Sequence, residues 1–173
     1  MILNGELYSG NNSAAGEIGY IVPGKEFIRK EFQPRGVLEN LICNDAINSM
    51  YSSRQSRKQE NQEKIDTQIG IERLIQLKEN GDQIALNIYK GVMDFIILLL
   101  INTLSVLDPE MVILGGELSA LPDNDIEGLM KELKNHIPFI PHLKRAALGK
   151  MTGVTGCIRV GLDNAEEELM SLW

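Results

Sequence analysis

Few residues in this chain are placed to do chemistry, and carboxylates lead them. Glu17 is the only charged residue in the glycine-rich loop Ser9 to Gly19, SGNNSAAGEIG. A carboxylate held by a rigid loop presents acceptor oxygens and suits ligand hydroxyls. Without a ligand, the ordinary place of such a residue is the surface or a helix cap. Glu39 stands in the first turn of a helix predicted from Val37 to about Met50. The helix dipole alone would favour a carboxylate there. Gly115-Gly116 follow the apolar run Met111 to Leu114, at the carboxyl end of a predicted strand, where open α/β sheets bind ligands. His136 and His142 are six positions apart with no neighbouring Cys and no evident acidic partner. Two such donors fall short of the four that zinc usually takes. Cys43 and Cys157 are far apart and read as small buried apolar groups of a reduced protein.

These residues need elements to position them. Asn4-Gly5, between Ile2-Leu3 and Glu6-Leu7-Tyr8, predicts a two-residue hairpin. Its first arm is short, which suggests a strand upstream and a Met1 that lies inside a larger protein. Tyr20 to Val22 reads as a short strand ended by Pro23-Gly24, and Lys25 to Arg35 as irregular. Ser52 to Lys64 is polar throughout and reads as a solvated helix or mobile loop. Ile69 to Glu79 reads as a helix.

The chain is organised around Gly81 to Ala120. Gly81 ends one helix and Asp82 caps the next. Ile84, Ile88, Val92, Phe95, Ile96 and Leu99 form an apolar stripe, widened by neighbours. The unbroken apolar run, Phe95 to Ile101, is far shorter than the roughly 20 residues a bilayer needs, which predicts a core or subunit-interface helix. Asp108-Pro109 stops it, and Met111 to Leu114, lacking alternation, predicts a strand covered on both faces. Beyond lie a predicted helix from Ile126 to Asn135, a strand from Arg145 to Lys150, a helix from Thr155 to Asn164 bracketed by Gly153, Gly156 and Gly161, and a short docking helix in the tail, Glu166 to Trp173. The order is α/β in one domain spanning residues 1–173. The net charge of −7 argues against nucleic-acid contact by this segment. No signal peptide or membrane span is read, and the expected location is the cytoplasm.

The segments AAGEIGY, RGVLE, GDQIA and LDPEMVILGGELS, in this order and spacing, resemble the ROK family of repressors and sugar kinases. The resemblance covers about Ile2 to Gly161 and implies the carboxyl-terminal lobe of an actin-like, ribonuclease H-like ATPase fold. It implies that Glu17 and Glu39 bind sugar hydroxyls, and that Gly115 and Gly116 form the adenosine-binding edge. The family histidine that ligates zinc and contacts sugar falls at Tyr20. The three cysteines of the family's zinc motif fall at Lys30, Phe32 and Val37. No zinc is therefore expected, and no cofactor in this chain, although ATP would serve the full-length protein. The family's phosphate loop and catalytic aspartate belong to the amino-terminal lobe, so this chain alone should phosphorylate nothing.

Two readings follow, with a blander third. The first is the sugar-sensing lobe of a ROK-type transcriptional regulator, binding a sugar or sugar phosphate and touching DNA only through an upstream domain. The alternative is the carboxyl-terminal half of an ATP-dependent sugar kinase. An interaction domain without ligand would leave Glu17 and Glu39 in solvent or paired with Lys or Arg. Homo-oligomerisation through the 81–107 helix, and no membrane association, are expected in either of the first two.

Overall fold

The computed structural model describes residues 1–28, 35–56 and 68–170. The chain divides into two compact units, Met1–Leu107 and Asp108–Trp173.

The first unit opens with the predicted hairpin. Strands β1 (Ile2–Leu3) and β2 (Glu6–Leu7) pair antiparallel, Ile2 opposite Leu7. Asn4 and Gly5 both sit at positive φ, 53° and 83°, as a primed two-residue turn demands. Tyr20 to Val22 forms no strand. Ile18–Tyr20 is a 3₁₀ turn closed by Ile21 N–H donating to Ile18 O at 3.1 Å. Ile18, Tyr20 and Val22 are all exposed, and among the described residues no strand pairs with this run. The helix predicted from Val37 to Met50 is two helices, α1 (Glu39–Ile42) and α2 (Asn44–Ser56), separated by an extended Cys43. Asn44 opens α2 and also reaches a neighbouring helix. Its Oδ1 accepts from Ile71 N–H at 3.1 Å, capping α3 (Ile71–Glu79) from outside. Asn48 Oδ1 likewise holds Ile69 N–H at 3.1 Å. Of the polar stretch Ser52 to Lys64, Ser52 to Ser56 finishes α2 and the rest lies outside the described residues.

Helix α4 (Gln83–Leu107) begins at a Schellman turn. Gly81, at φ 85°, donates to Lys78 O at 3.0 Å, and Asp82 N–H to Leu77 O at 2.9 Å. Asp82 then caps α4, its Oδ1 accepting from Ile84 and Ala85 N–H at 2.7 and 2.9 Å. Its Oδ2 accepts from the Tyr51 hydroxyl at 2.5 Å, so one carboxylate ties α2 to the start of α4. By length and composition α4 could cross a bilayer. It instead buries Ala85, Ile88, Tyr89, Val92 and Ile96 while packing against α2 and α3. Those helices contribute Ile47, Tyr51, Leu74 and Ile75 to the same core.

In the second unit, Asp108 at φ 40° turns the chain into β3 (Met111–Leu114). Its parallel partner β4 is His142–Arg145, earlier than the Arg145 to Lys150 predicted from sequence. Residues 146–148 turn, and a 3₁₀ turn (Gly149–Met151) follows. Strand β3 is not covered on both faces: Met111 and Ile113 are 40% and 62% exposed, whereas Leu114 is buried. Helix α5 (Asp123–Leu133) crosses between the strands. It starts earlier than predicted because Asp123 and Asp125 fill its first turn, where acidic side chains suit the dipole. Leu114, Leu121, Leu129 and Leu133 form the core here. The last helix, α6 (Thr152–Met170), absorbs the predicted Thr155 to Asn164 segment, its glycines and most of the tail. Residues 171–173 lie outside the described chain.

Candidate functional site: a stitched acidic corner and a glycine edge

In the first unit, a loop and a helix start are fastened together by backbone. Gly19 O accepts from Leu38 N–H at 2.9 Å. Gly36 packs so closely that a Cβ there would meet Gly19 O at 2.1 Å, Gly19 C at 2.3 Å and Tyr20 N at 2.6 Å. Only glycine permits this approach. Glu39, one residue past the stitch, lies over Gly19. A Cβ at Gly19 would stand 3.4 Å from both its Cβ and its Oε2. Glu17 is two residues away along the loop, leading into the 3₁₀ turn, with no hydrogen bond from its side chain to that turn. The structure thus joins the segments that carry Glu17, Tyr20 and Glu39.

All three side chains are exposed, Tyr20 by 58%. Glu39 also faces Arg35, with Nε to Oε1 at 3.8 Å. An exposed pair of this length stabilises little, about 0–1 kcal/mol. Arg35 has stronger partners: its Nη1 donates to Asp45 Oδ2 at 2.7 Å and to Cys43 Sγ at 3.4 Å. The hydrogen bond to Asp45, then that to Cys43, raises the guanidinium above its ordinary value and keeps it charged. Gln68 holds the other Asp45 oxygen at 3.0 Å. Asn40 Nδ2 closes the corner by donating to Gly36 O at 2.9 Å and Arg35 O at 3.1 Å. Sequence reasoning missed this role of Arg35. Its partner Asp45 lies ten residues away across a helix break, where no local spacing rule reaches.

A family-type zinc ion does not fit. Lys30 and Phe32 lie outside the described residues. Tyr20 and Val37 offer a phenol and an isopropyl group where thiolate or imidazole is needed. His136 does have an acidic partner, contrary to the sequence reading. Its Nε2 is 3.1 Å from Glu132 Oε1, a common i,i+4 pairing on α5.

In the second unit, Gly115 and Gly116 follow β3 as expected. Gly116, at φ 55°, is required by backbone conformation and opens the 3₁₀ turn Gly116–Ala120. Gly115 has ordinary φ, −109°, and a Cβ there would approach only Ala146, at 3.9 Å. Packing does not demand glycine at 115, so its missing side chain leaves an open, accessible backbone edge. Ser119 Oγ donates to Gly116 O at 2.7 Å and fixes the turn. Elsewhere in this unit, α5 and β4 line a groove of about 420 Å³, with Ile126, Met130 and Leu143 beside Lys131 and Lys134. No periodicity in the sequence pointed to it, because its residues come from two elements.

The fold is that of a lobe of the actin-like ATPases, and it is shared with the ROK hexokinase from Thermus thermophilus. That match has a TM-score of 0.63 at 22% identity and covers 87% of this chain and 48% of that one. The sequence profile described as ROK family matches residues 1–162, and the chain belongs to that family. It is 27% identical over 160 residues to the N-acetyl-D-glucosamine kinase of Pasteurella multocida (strain Pm70), covering 90% of this chain and 52% of that protein. It is 28% identical over 170 residues to the enzyme of the same name from Yersinia enterocolitica, with the same coverage. The chain spans about half the length of the curated relatives it matches.

Proposed function

We propose that this chain supplies the sugar-binding wall and the nucleotide-facing glycine edge of a ROK-type kinase acting on an N-acetylated hexosamine. Glu17 and Glu39 accept hydrogen bonds from adjacent sugar hydroxyls, and Tyr20 packs beside the ring. Gly115 and Gly116 pass close to the adenosine of ATP. The observation that carries this reading is the stitch between Gly19 and Leu38, which holds the Glu17 loop against the helix start bearing Glu39. The substrate class follows from the N-acetyl-D-glucosamine kinases that the chain resembles over 90% of its length. The base that takes the sugar hydroxyl's proton and the loop that holds the phosphates belong to the other half of such an enzyme. This chain binds and orients, and transfer of the γ-phosphoryl group needs both halves. We place the protein in the cytoplasm, where ATP and sugar meet, with self-association as an accompanying expectation.

Calorimetry with N-acetylglucosamine, N-acetylmannosamine and glucose tests this reading. Glu17→Gln or Glu39→Gln should weaken sugar binding tenfold or more, about 1.4 kcal/mol. No heat from any of the three sugars with folded protein would sink the proposal. One observation favours the sensing-lobe reading. The zinc motif is lost at Tyr20 and Val37, which departs from the family's kinase pattern. Sugar binding without ATP turnover in the full-length protein, with a DNA-binding segment upstream, would select the transcriptional regulator instead.

A further inference from the structure

The residues at the acidic corner do not fit thiolate-bound zinc, since Tyr20 and Val37 bring no zinc donor. The corner is fastened by a guanidinium instead. Arg35 immediately precedes Gly36, the residue seated on Gly19, and it is gripped at both ends. Its carbonyl accepts from Asn40 Nδ2, on α1, at 3.1 Å. Its Nη1 donates to Asp45 Oδ2, in the first turn of α2, at 2.7 Å, and to Cys43 Sγ, in the extended link between the two helices, at 3.4 Å. Neither cysteine is buried: Cys43 is half-buried beside Arg35, and Cys157 is exposed. Asp45 is itself held, its Oδ1 accepting from Gln68 Nε2 at 3.0 Å. Arg35 thus ties the segment entering the corner to α1, to α2 and to the approach to α3.

The same guanidinium bears on Glu39. Glu39 Oε1 stands 3.8 Å from Arg35 Nε, while its Oε2 lies 3.4 Å from where a Cβ on Gly19 would be. One carboxylate oxygen faces the cation, and the other lies over the loop that carries Glu17. Arginine can serve both carboxylates at once, because Nε and Nη1 are separate donors in one rigid plane. We infer that Arg35 is a positioning residue: its clamp on Asp45 does the fastening that zinc cannot do here, seating Gly36 on Gly19 and turning Glu39 Oε2 toward bound sugar. This rests on the sugar-binding reading of Glu17 and Glu39. The clamp carries a signature of its own. The Arg35 and Asp45 side chains are 43% and 57% exposed, so salt screens their attraction. A neutral sugar has no net charge to screen, so a salt dependence of its binding reports the clamp.

Two measurements on the full chain test this: calorimetry with N-acetylglucosamine, and amide exchange of Leu38 by NMR, which reports the stitch whether or not sugar binds. Arg35→Met and Asp45→Asn should each weaken sugar binding about three- to fivefold, the scale of one exposed charge pair. The double variant should lose no more than the worse single one, because both remove the same contact. Parent affinity should fall about threefold between about 0.1 and 1 M NaCl, where the Debye length shrinks from about 10 to about 3 Å. Neither single variant should show that fall, and EDTA or added zinc should leave the parent unchanged. Leu38 exchange should quicken at least threefold in Arg35→Met. Arg159→Ala, which removes a cation from the second unit, should match the parent throughout. Unchanged Leu38 exchange in Arg35→Met, shown folded by circular dichroism, would overturn the inference. So would additive losses in the double variant, a salt-independent parent, or loss of sugar binding in EDTA. If Arg35→Met does not fold, Asp45→Asn and the salt series on the parent decide. Quickened exchange in Arg35→Met with no heat from sugar and parent would support the clamp and sink the sugar reading alone.

Discussion

Replacing Gly36 by alanine puts one methyl group where the acidic corner is stitched. The new Cβ would sit 2.1 Å from Gly19 O, 2.3 Å from Gly19 C and 2.6 Å from Tyr20 N, all backbone atoms with no rotamer to escape into. An ordinary contact needs about 3.5 Å, so the segments must part by roughly 1 Å or more. That movement breaks the 2.9 Å bond from Leu38 N–H to Gly19 O. Overpacking of this kind costs about 1–3 kcal/mol, and the lost bond about 1 kcal/mol. Together they predict a loss of about 2–4 kcal/mol in urea unfolding followed by circular dichroism, with sugar affinity falling alongside. Gly128→Ala is the control. Position 128 is within α5 with nothing inside 4 Å, and alanine there should stabilise by about 0.5–1 kcal/mol. If Gly36→Ala stays within 0.5 kcal/mol of the parent and binds sugar equally, the close approach does not hold the corner together.

Two further predictions concern the helical core. Burial, and then the hydrogen bond to Asp82, pushes the Tyr51 hydroxyl up from 10.0 to about 12. Its folded-state value exceeds the unfolded one, so its stabilising contribution is complete below pH 10 and is lost between pH 10 and about 12. Two decades at about 1.4 kcal/mol each amount to roughly 2–3 kcal/mol. Tyr51→Phe should be about 1 kcal/mol less stable at pH 8 and overtake the parent at the alkaline end. Parallel pH profiles would refute this. Thr103 on α4 carries the one buried side-chain polar atom without a hydrogen-bond partner among the described residues, its Oγ1. Thr103→Val keeps the shape and removes that atom, and should raise stability by about 1 kcal/mol in the same urea assay. A loss instead would mean that the hydroxyl is satisfied.

Local chemistry was legible in the sequence, and long-range pairing was not. Asn4-Gly5, Gly81-Asp82 and Asp108 each announce a turn, cap or stop within two or three residues, and the structure has them there. The apolar stripe of α4 was readable because it repeats over 25 residues. Strand β4 was misplaced because only Leu143 among its four residues is not exposed, which leaves no alternation to read. The Tyr20 to Val22 run has strand composition but pairs with no strand among the described residues, and tertiary context decides such short segments. In α6 the three glycines resembled boundaries, since glycine usually punctuates helices. At the acidic corner, Glu17 and Glu39 stood out by type and position. The stitch itself depends on Gly36 meeting Gly19 across seventeen residues, and nothing local encodes that contact.

The shared carboxylate of Asp82 has a consequence for motion. Helix ends usually fray, and their amides exchange with solvent long before the whole protein opens. At the start of α4 the first-turn amides of Ile84 and Ala85 are held by an oxygen whose twin is clasped by a tyrosine in a different helix. Releasing that end means detaching α2 as well. The amino-terminal amides of α4 should therefore exchange deuterium on the timescale of global opening, while those near exposed Ser105 and Val106 exchange early.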